Sequence, residues 1–227
     1  MNSKMKNEVL SIIKVIADNI QWNRYINEHY LHHYFTFQLQ QRKYEIDLTK
    51  KRENFVVHPE WPTYRNEDKK CDINIPYRRY YHNEISNSNK SENAKGGHFD
   101  FAIGEYNKPE IGIEFIWEYG WNKEEFIFDF LKCMDGALPF TTAISYSVIV
   151  REKEISIKGR KTRFEKSLNG AYEEAKDRLD VHNSLYDVSK RDVYLIVTEI
   201  GQNDKRHWYF DKSKGKFREE KSINNVL

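Results

Sequence analysis

Apolar positions along the chain recur with two different periods, and the switches between those periods outline the elements. Val9, Ile12, Ile13, Val15 and Ile16, followed by Tyr30, Leu31, Tyr34, Phe35 and Leu39, keep helical spacing, which predicts helix over 5–42 with a break near 19–23. ENFVVH at 53–58 reads as a short strand, and the HPEWP that follows it carries two prolines that stop a ladder. From 64 to 97 the pattern lapses into polar, punctuated sequence, relieved only by CDINIPY and by Arg78, Arg79, Tyr80 and Tyr81. The segment SNSNKSENAKGG has nothing apolar to anchor it and is expected to be poorly ordered. Pattern returns at 96–121, where two apolar arms flank a turn containing Asn107 and Pro109, the signature of a β-hairpin.

Beyond the hairpin, Phe126, Ile127, Phe130, Leu131 and Met134 share one face of a helix predicted over 122–135, with Gly136 as its stop. TTAISYSVIV at 141–150 and DVYLIVTEI at 192–200 are β-branched apolar runs of the kind covered on both faces of a sheet. Between them Phe164, Leu168, Ala171, Tyr172, Ala175 and Leu179 predict a helix over 164–180. HWYF at 207–210 reads as an edge strand, and the tail 212–227 is expected to be loosely held. The sum is an α/β fold, a central mixed β-sheet flanked by helices on both faces. One domain over 1–227 accommodates it, with a polar insertion at about 62–97.

Composition narrows the setting. With 32% charged residues, a mean hydropathy of −0.85 and no apolar run long enough for a bilayer span or a signal-peptide core, the chain is expected to be soluble and cytoplasmic, with no membrane partner. Cys71 and Cys133 lack a metal-type spacing and sit in or beside apolar segments, as reduced structural thiols do. A net charge of +2 announces no nucleic-acid partner globally, so any such contact must come from local basic runs. Two qualify: Arg78 and Arg79, interleaved with tyrosines that offer stacking faces, and Lys158, Arg160, Lys161 and Arg163 around a glycine. The plain alternative for both is a solvated surface. No internal repeat, phosphate-binding loop or nucleophile elbow is present, which leaves kinase-like, nucleotide-switch and serine-hydrolase readings without support.

The chemistry concentrates in the hairpin. Asp100 opens its first arm and Glu114 sits at the centre of the second, among Phe99, Phe101, Ile103, Ile111, Ile113 and Phe115. An unpaired carboxylate there is costly. Two converging carboxylates are most simply compensated by a divalent cation, and hard oxygen ligands select Mg²⁺ or Mn²⁺, the equipment of a phosphodiesterase. Asp72, which also opens a short strand-like run, is the rival to Asp100, but it would place a long irregular insert before Glu114. Glu60, after the first strand, either joins such a site or decorates a turn. His29 and His33 fall one helical turn apart beside Glu28 and His32 and are a second candidate metal pair, set against an ordinary solvated histidine cluster.

An Asp at the start of one strand and a Glu in the next, 14 positions on, resembles the PD-(D/E)XK, or restriction-endonuclease-like, nuclease superfamily, and the order of elements is similar to its core. The resemblance implies a divalent-metal-dependent nuclease hydrolysing phosphodiester bonds, with DNA the favoured substrate. It implies Mg²⁺ (or Mn²⁺) on Asp100, Glu114 and the backbone carbonyl of Phe115; Glu28 of the first helical region either completes the site, as first-helix acids do in similar nucleases, or is an ordinary surface charge. The superfamily's lysine, two residues after the second acid, is replaced here by Ile116. Some members carry that lysine on the following helix, and Lys132 occupies the corresponding place. If Lys132 does not serve, the alternative is a catalytically degenerate nuclease fold acting as a nucleic-acid-binding or protein-interaction module; a third reading is an unrelated α/β protein in which Glu114 is hydrogen-bonded in a structural network and need not converge with Asp100. A homodimer would suit double-strand cleavage, by analogy alone.

Overall fold

The computed structural model describes residues 3–22, 27–46, 56–62, 98–105, 108–136, 138–151, 160–180, 187 and 190–220. Seven strands lie side by side in chain order: β1 (Val57–Pro62), β2 (His98–Glu105), β3 (Lys108–Tyr119), β4 (Thr142–Val150), β5 (Asp192–Ile200), β6 (Lys205–Asp211) and β7 (Lys216–Glu220). The described helices are α1 (Ser3–Asn19), α2 (Glu28–Gln41), α3 (Lys123–Met134) and α4 (Arg160–Asp180). Strands β3, β4 and β5 are parallel, and every other neighbouring pair is antiparallel. Parallel neighbours require a crossover, which α3 supplies between β3 and β4 and α4 between β4 and β5. All nine residues of β4 are buried, as befits a strand with neighbours on both edges and helices over both faces.

Each face has its own core. Under α3 and α4 lie Phe126, Phe130, Phe164, Leu168 and, from the far margin of the sheet, Trp208 and Phe217. Under α1 and α2 lie Ile12, Ile13, Leu31, Phe35, Phe115 and Tyr146. The predicted α/β class, a mixed sheet with helices on both faces, is therefore what the chain forms. No described helix is long and apolar enough to cross a membrane.

Four local expectations are corrected. HWYF at 207–210 is not an edge strand, since β6 is paired with β5 on one side and β7 on the other. The strand near residue 57 does not stop at the prolines: β1 runs through Pro59 and Pro62, which pair in register with Phe101 and His98. As the edge strand it tolerates residues that cannot donate to a ladder. The tail is not loose throughout. Lys216–Glu220 forms β7 against β6, because Phe217 buries its ring on Phe130 and its N–H donates to Asn169 Oδ1. The second long helix begins at Arg160, ahead of its first apolar anchor Phe164. The insertion beyond Pro62, with Cys71, Asp72, Arg78 and Arg79, and the loop residue Lys158 lie outside the described residues.

One buried arginine fixes the helix that matters most for the site. Arg191, just ahead of β5, donates to the carbonyls of Cys133, Asp135, Leu138 and Phe140. These include acceptors at the end of α3 that the helix itself cannot satisfy. α3 is thus tied to the sheet at its C-terminal turn, where Lys132 sits.

Candidate functional site

On β3 the odd positions Ile111, Ile113, Phe115 and Trp117 face α1 and α2, so Gly112, Glu114 and Ile116 face α3. Glu114, only 2% exposed, meets Lys132 of α3: Nζ lies 2.6 Å from Glu114 Oε2 and 2.8 Å from Asp129 Oδ1, one turn earlier on the same helix. The ammonium also donates to the His98 carbonyl at 3.3 Å and lies 4.8 Å from the centre of the Phe128 ring. Gly112 makes room beside this group. A Cβ there would come within 2.8 Å of the Phe140 ring and 2.9 Å of the Phe99 ring, which pack on each other at 4.6 Å.

Asp100 stands where the two faces of the sheet exchange. Phe99 packs in the α3 core and Phe101 in the α2 core, so strict alternation along β2 breaks at the residue between them. The β2–β3 ladder runs as far as Phe101 and Ile113, and the next free donor on β3, the Phe115 N–H, goes to Asp100 Oδ2 at 2.6 Å. A residue's N–H and C=O leave a strand on the same side, so the Phe115 carbonyl is directed toward that gap as well. From the opposite face α2 contributes His32, whose Nε2 is 3.3 Å from Asp100 Oδ2 and 3.9 Å from Glu28 Oε1. Asn27 caps α2 by accepting from the Tyr30 N–H, which sets Glu28 in the first turn and His32 one turn later. Ligand atoms of Glu28, His32 and Asp100 all lie within 4.8 Å of one another.

The electrostatics share one feature, a surplus of negative charge. Glu28, Asp100, Glu114 and Asp129 confront one ammonium and one imidazole. Burial, reinforced by Asp100 and Asp129, raises the Glu114 pKa well above its ordinary value even though Lys132 opposes it. Asp129 is pushed up to about 6 by burial, with Asp100 and Glu125 adding to it against Lys132. Half-exposed Glu28 is pushed up to about 7, by burial first and by Asp100 next. Burial disfavours the charge on Lys132, but Asp129, Glu114 and Asp100 outweigh it and keep the ammonium protonated. His32 likewise overcomes its burial through Asp100, Glu28 and Glu60. Among the described residues, the buried side-chain atoms without a hydrogen-bond partner include two here: Glu114 Oε1, and His32 Nε2, which is near Asp100 but not aligned with it as a hydrogen bond.

The structure thus sorts the expected residues into two groups: Asp100 with Glu28, His32 and the Phe115 N–H on the α2 side, and Glu114 with Lys132 and Asp129 under α3, Glu114 not being among the clustered ligand atoms. The Asp129–Lys132 pair, which by spacing alone reads as a surface ion pair, is buried. His32 faces the site, whereas His29 and His33, the pair at helical spacing, do not join the cluster. The signal that separates them is the α2 face: His32 follows buried Leu31 and lies one turn after Glu28, on the sheet side. Glu60 is exposed, in the left-handed region at φ 53, and falls between Pro59 and Trp61, which pair with Phe101 and Phe99, so it stands beside Asp100 on the edge strand. Of the basic run, Lys161 is ion-paired with Glu219 and Arg163 is exposed, while the side chain of Arg160 lies outside the described residues. Comparison with protein-family models, with curated proteins and with solved structures finds no match.

Proposed function

We propose that the chain is a divalent-metal-dependent nuclease that hydrolyses phosphodiester bonds, DNA being the first substrate to try, with a site similar in layout to the PD-(D/E)XK superfamily. The observation that carries this reading is the Lys132 ammonium at 2.6 Å from buried Glu114, whose second oxygen is left without a partner. A lysine borne on α3 thereby fills the role that Ile116 cannot. Asp100, Glu114 Oε1, the Phe115 carbonyl and Glu28 are the oxygen donors suited to Mg²⁺ or Mn²⁺. When bound, such an ion activates water and offsets charge on the phosphate.

The chain's own residues supply the rest. Lys132, held protonated by Asp129 and Glu114, is a fixed positive charge for the oxygens of a phosphodiester as negative charge builds on them. The Phe115 N–H orients the Asp100 carboxylate. Arg163 and Lys161 are candidate backbone contacts for nucleic acid.

The competing reading, a nuclease fold retained for binding, draws on Ile116, which is buried beneath α3 and polarises nothing. Plasmid, single-stranded DNA and RNA incubated with Mg²⁺ or Mn²⁺, beside an Asp100→Ala variant, separate the two. The nuclease reading expects metal-dependent cutting by the parent and none by the variant. Absence of cutting on all substrates, with no metal-dependent rise in melting temperature, favours the binding module.

A further inference from the structure

The nuclease reading accounts for the oxygen donors and the lysine but leaves His32 without a role. Its ring is wedged between Phe101 and Phe115, at centroid separations of 5.5 and 5.7 Å, so its direction is set by packing. Two ligands at about 2.1 Å from one ion are separated by about 3 Å when adjacent and about 4.2 Å when opposite. The distances from His32 Nε2 to Asp100 and Glu28, 3.3 and 3.9 Å, both fall in that interval. A second observation points the same way. His32 Nε2 is itself buried and has no hydrogen-bond partner among the described residues, its 3.3 Å approach to Asp100 Oδ2 not being aligned as one.

We infer that His32 Nε2 is itself a metal ligand, forming with Glu28 and Asp100 a nitrogen-containing position that favours a first-row transition ion such as Mn²⁺ over Mg²⁺. This deepens the metal-dependent reading above and rests on it. Mg²⁺ is satisfied by oxygen alone, whereas an imidazole nitrogen adds affinity for transition ions and little for Mg²⁺. The rival account makes His32 an imidazolium counter-ion between two carboxylates, with no bond to any metal.

The test uses the full chain with Mn²⁺ or Mg²⁺ alone and no nucleic acid. Pulsed electron paramagnetic resonance of bound Mn²⁺ should show coupling to an imidazole nitrogen, lost in His32→Gln. Calorimetric titration should show Mn²⁺ affinity falling at least about tenfold in that variant, the scale seen when even outer-sphere partners are removed. Mg²⁺ affinity should change far less, so the Mn²⁺-to-Mg²⁺ ratio drops. Bound Mn²⁺ without nitrogen coupling in the parent overturns the inference while leaving the metal-dependent reading intact. Failure of the parent to bind either ion sinks both. Should His32→Gln not fold, as judged by urea melts in chelator, the parent's nitrogen coupling still decides.

Discussion

Replacing Lys132 by Met keeps the shape of the side chain and removes its charge, leaving Glu114 and Asp129 facing each other in a buried site. Two routes are open to the variant. It can protonate the acids, which costs 1.36 kcal/mol for each pH unit above their ordinary values of 4.5 and 3.8. At pH 5 that route costs about 2 kcal/mol for the pair, and at pH 7 about 8 kcal/mol. It can instead keep an uncompensated buried charge, a penalty of about 3–5 kcal/mol. Protonation wins at pH 5 and the buried charge at pH 7. Both values are upper ones, because the two carboxyls are already raised in the parent. Urea denaturation in chelator should therefore show Lys132→Met destabilised by about 3–5 kcal/mol at pH 7 and by no more than about 2 kcal/mol at pH 5. A loss that does not change with pH would refute the charge argument and assign the cost to packing.

The acid cluster also sets the parent's own pH dependence. Folded Glu28 keeps its proton to about pH 7, while the unfolded chain releases it near 4.5, so the folded state binds more protons in that window and stability falls as pH rises through it. Glu114 and Asp129 act in the same direction. Thermal melts in chelator should show this decline, and added Mn²⁺ should reverse it increasingly toward pH 7.5; metal-free stability that rises over the same range contradicts the sign. Gly112→Ala drives a methyl into the Phe99 and Phe140 rings and should cost about 1–3 kcal/mol in urea melts, since both rings are packed against α3 and the sheet. An unchanged midpoint would mean that the rings give way freely.

Much of this was legible in the sequence because burial imposes period. The alternation of β3, the continuous apolar run of β4 and the apolar stripe of α3 each follow from being covered on one or both faces, and the bounds of β4 and α3 fall within a residue of those expected. What period cannot carry is a contact made across elements. Phe217 lies in a tail whose neighbours are all polar, and only its docking on Phe130 makes β7 a strand. His32 is one of four histidines and acids crowded into six residues, and its role depends on which face of α2 meets the sheet. β1 reads as broken at its prolines because nothing in the local sequence says that it will be an edge strand. The break of alternation at Asp100 is likewise a property of β1, β2 and β3 together.

The same dependence decides where a buried cation can stand on this face of the sheet. Position 116 lies on the face of β3 covered by α3, and Ile116 is 4% exposed there. A lysine at that place would start about 6.6 Å along the strand from Glu114, beneath the helix, and would have to bury a second ammonium with no carboxylate of its own. Lys132 reaches Glu114 from above instead, and it comes with a dedicated counter-ion because Asp129 sits one turn back on the same helix. Arg191 then fixes the height of that turn over the sheet through the carbonyls at the end of α3. An apolar residue at 116, an acid at 129, a lysine at 132 and an arginine at 191 are thus one arrangement. Each is needed because a cation delivered by a helix must be aimed, paired and held down by that helix.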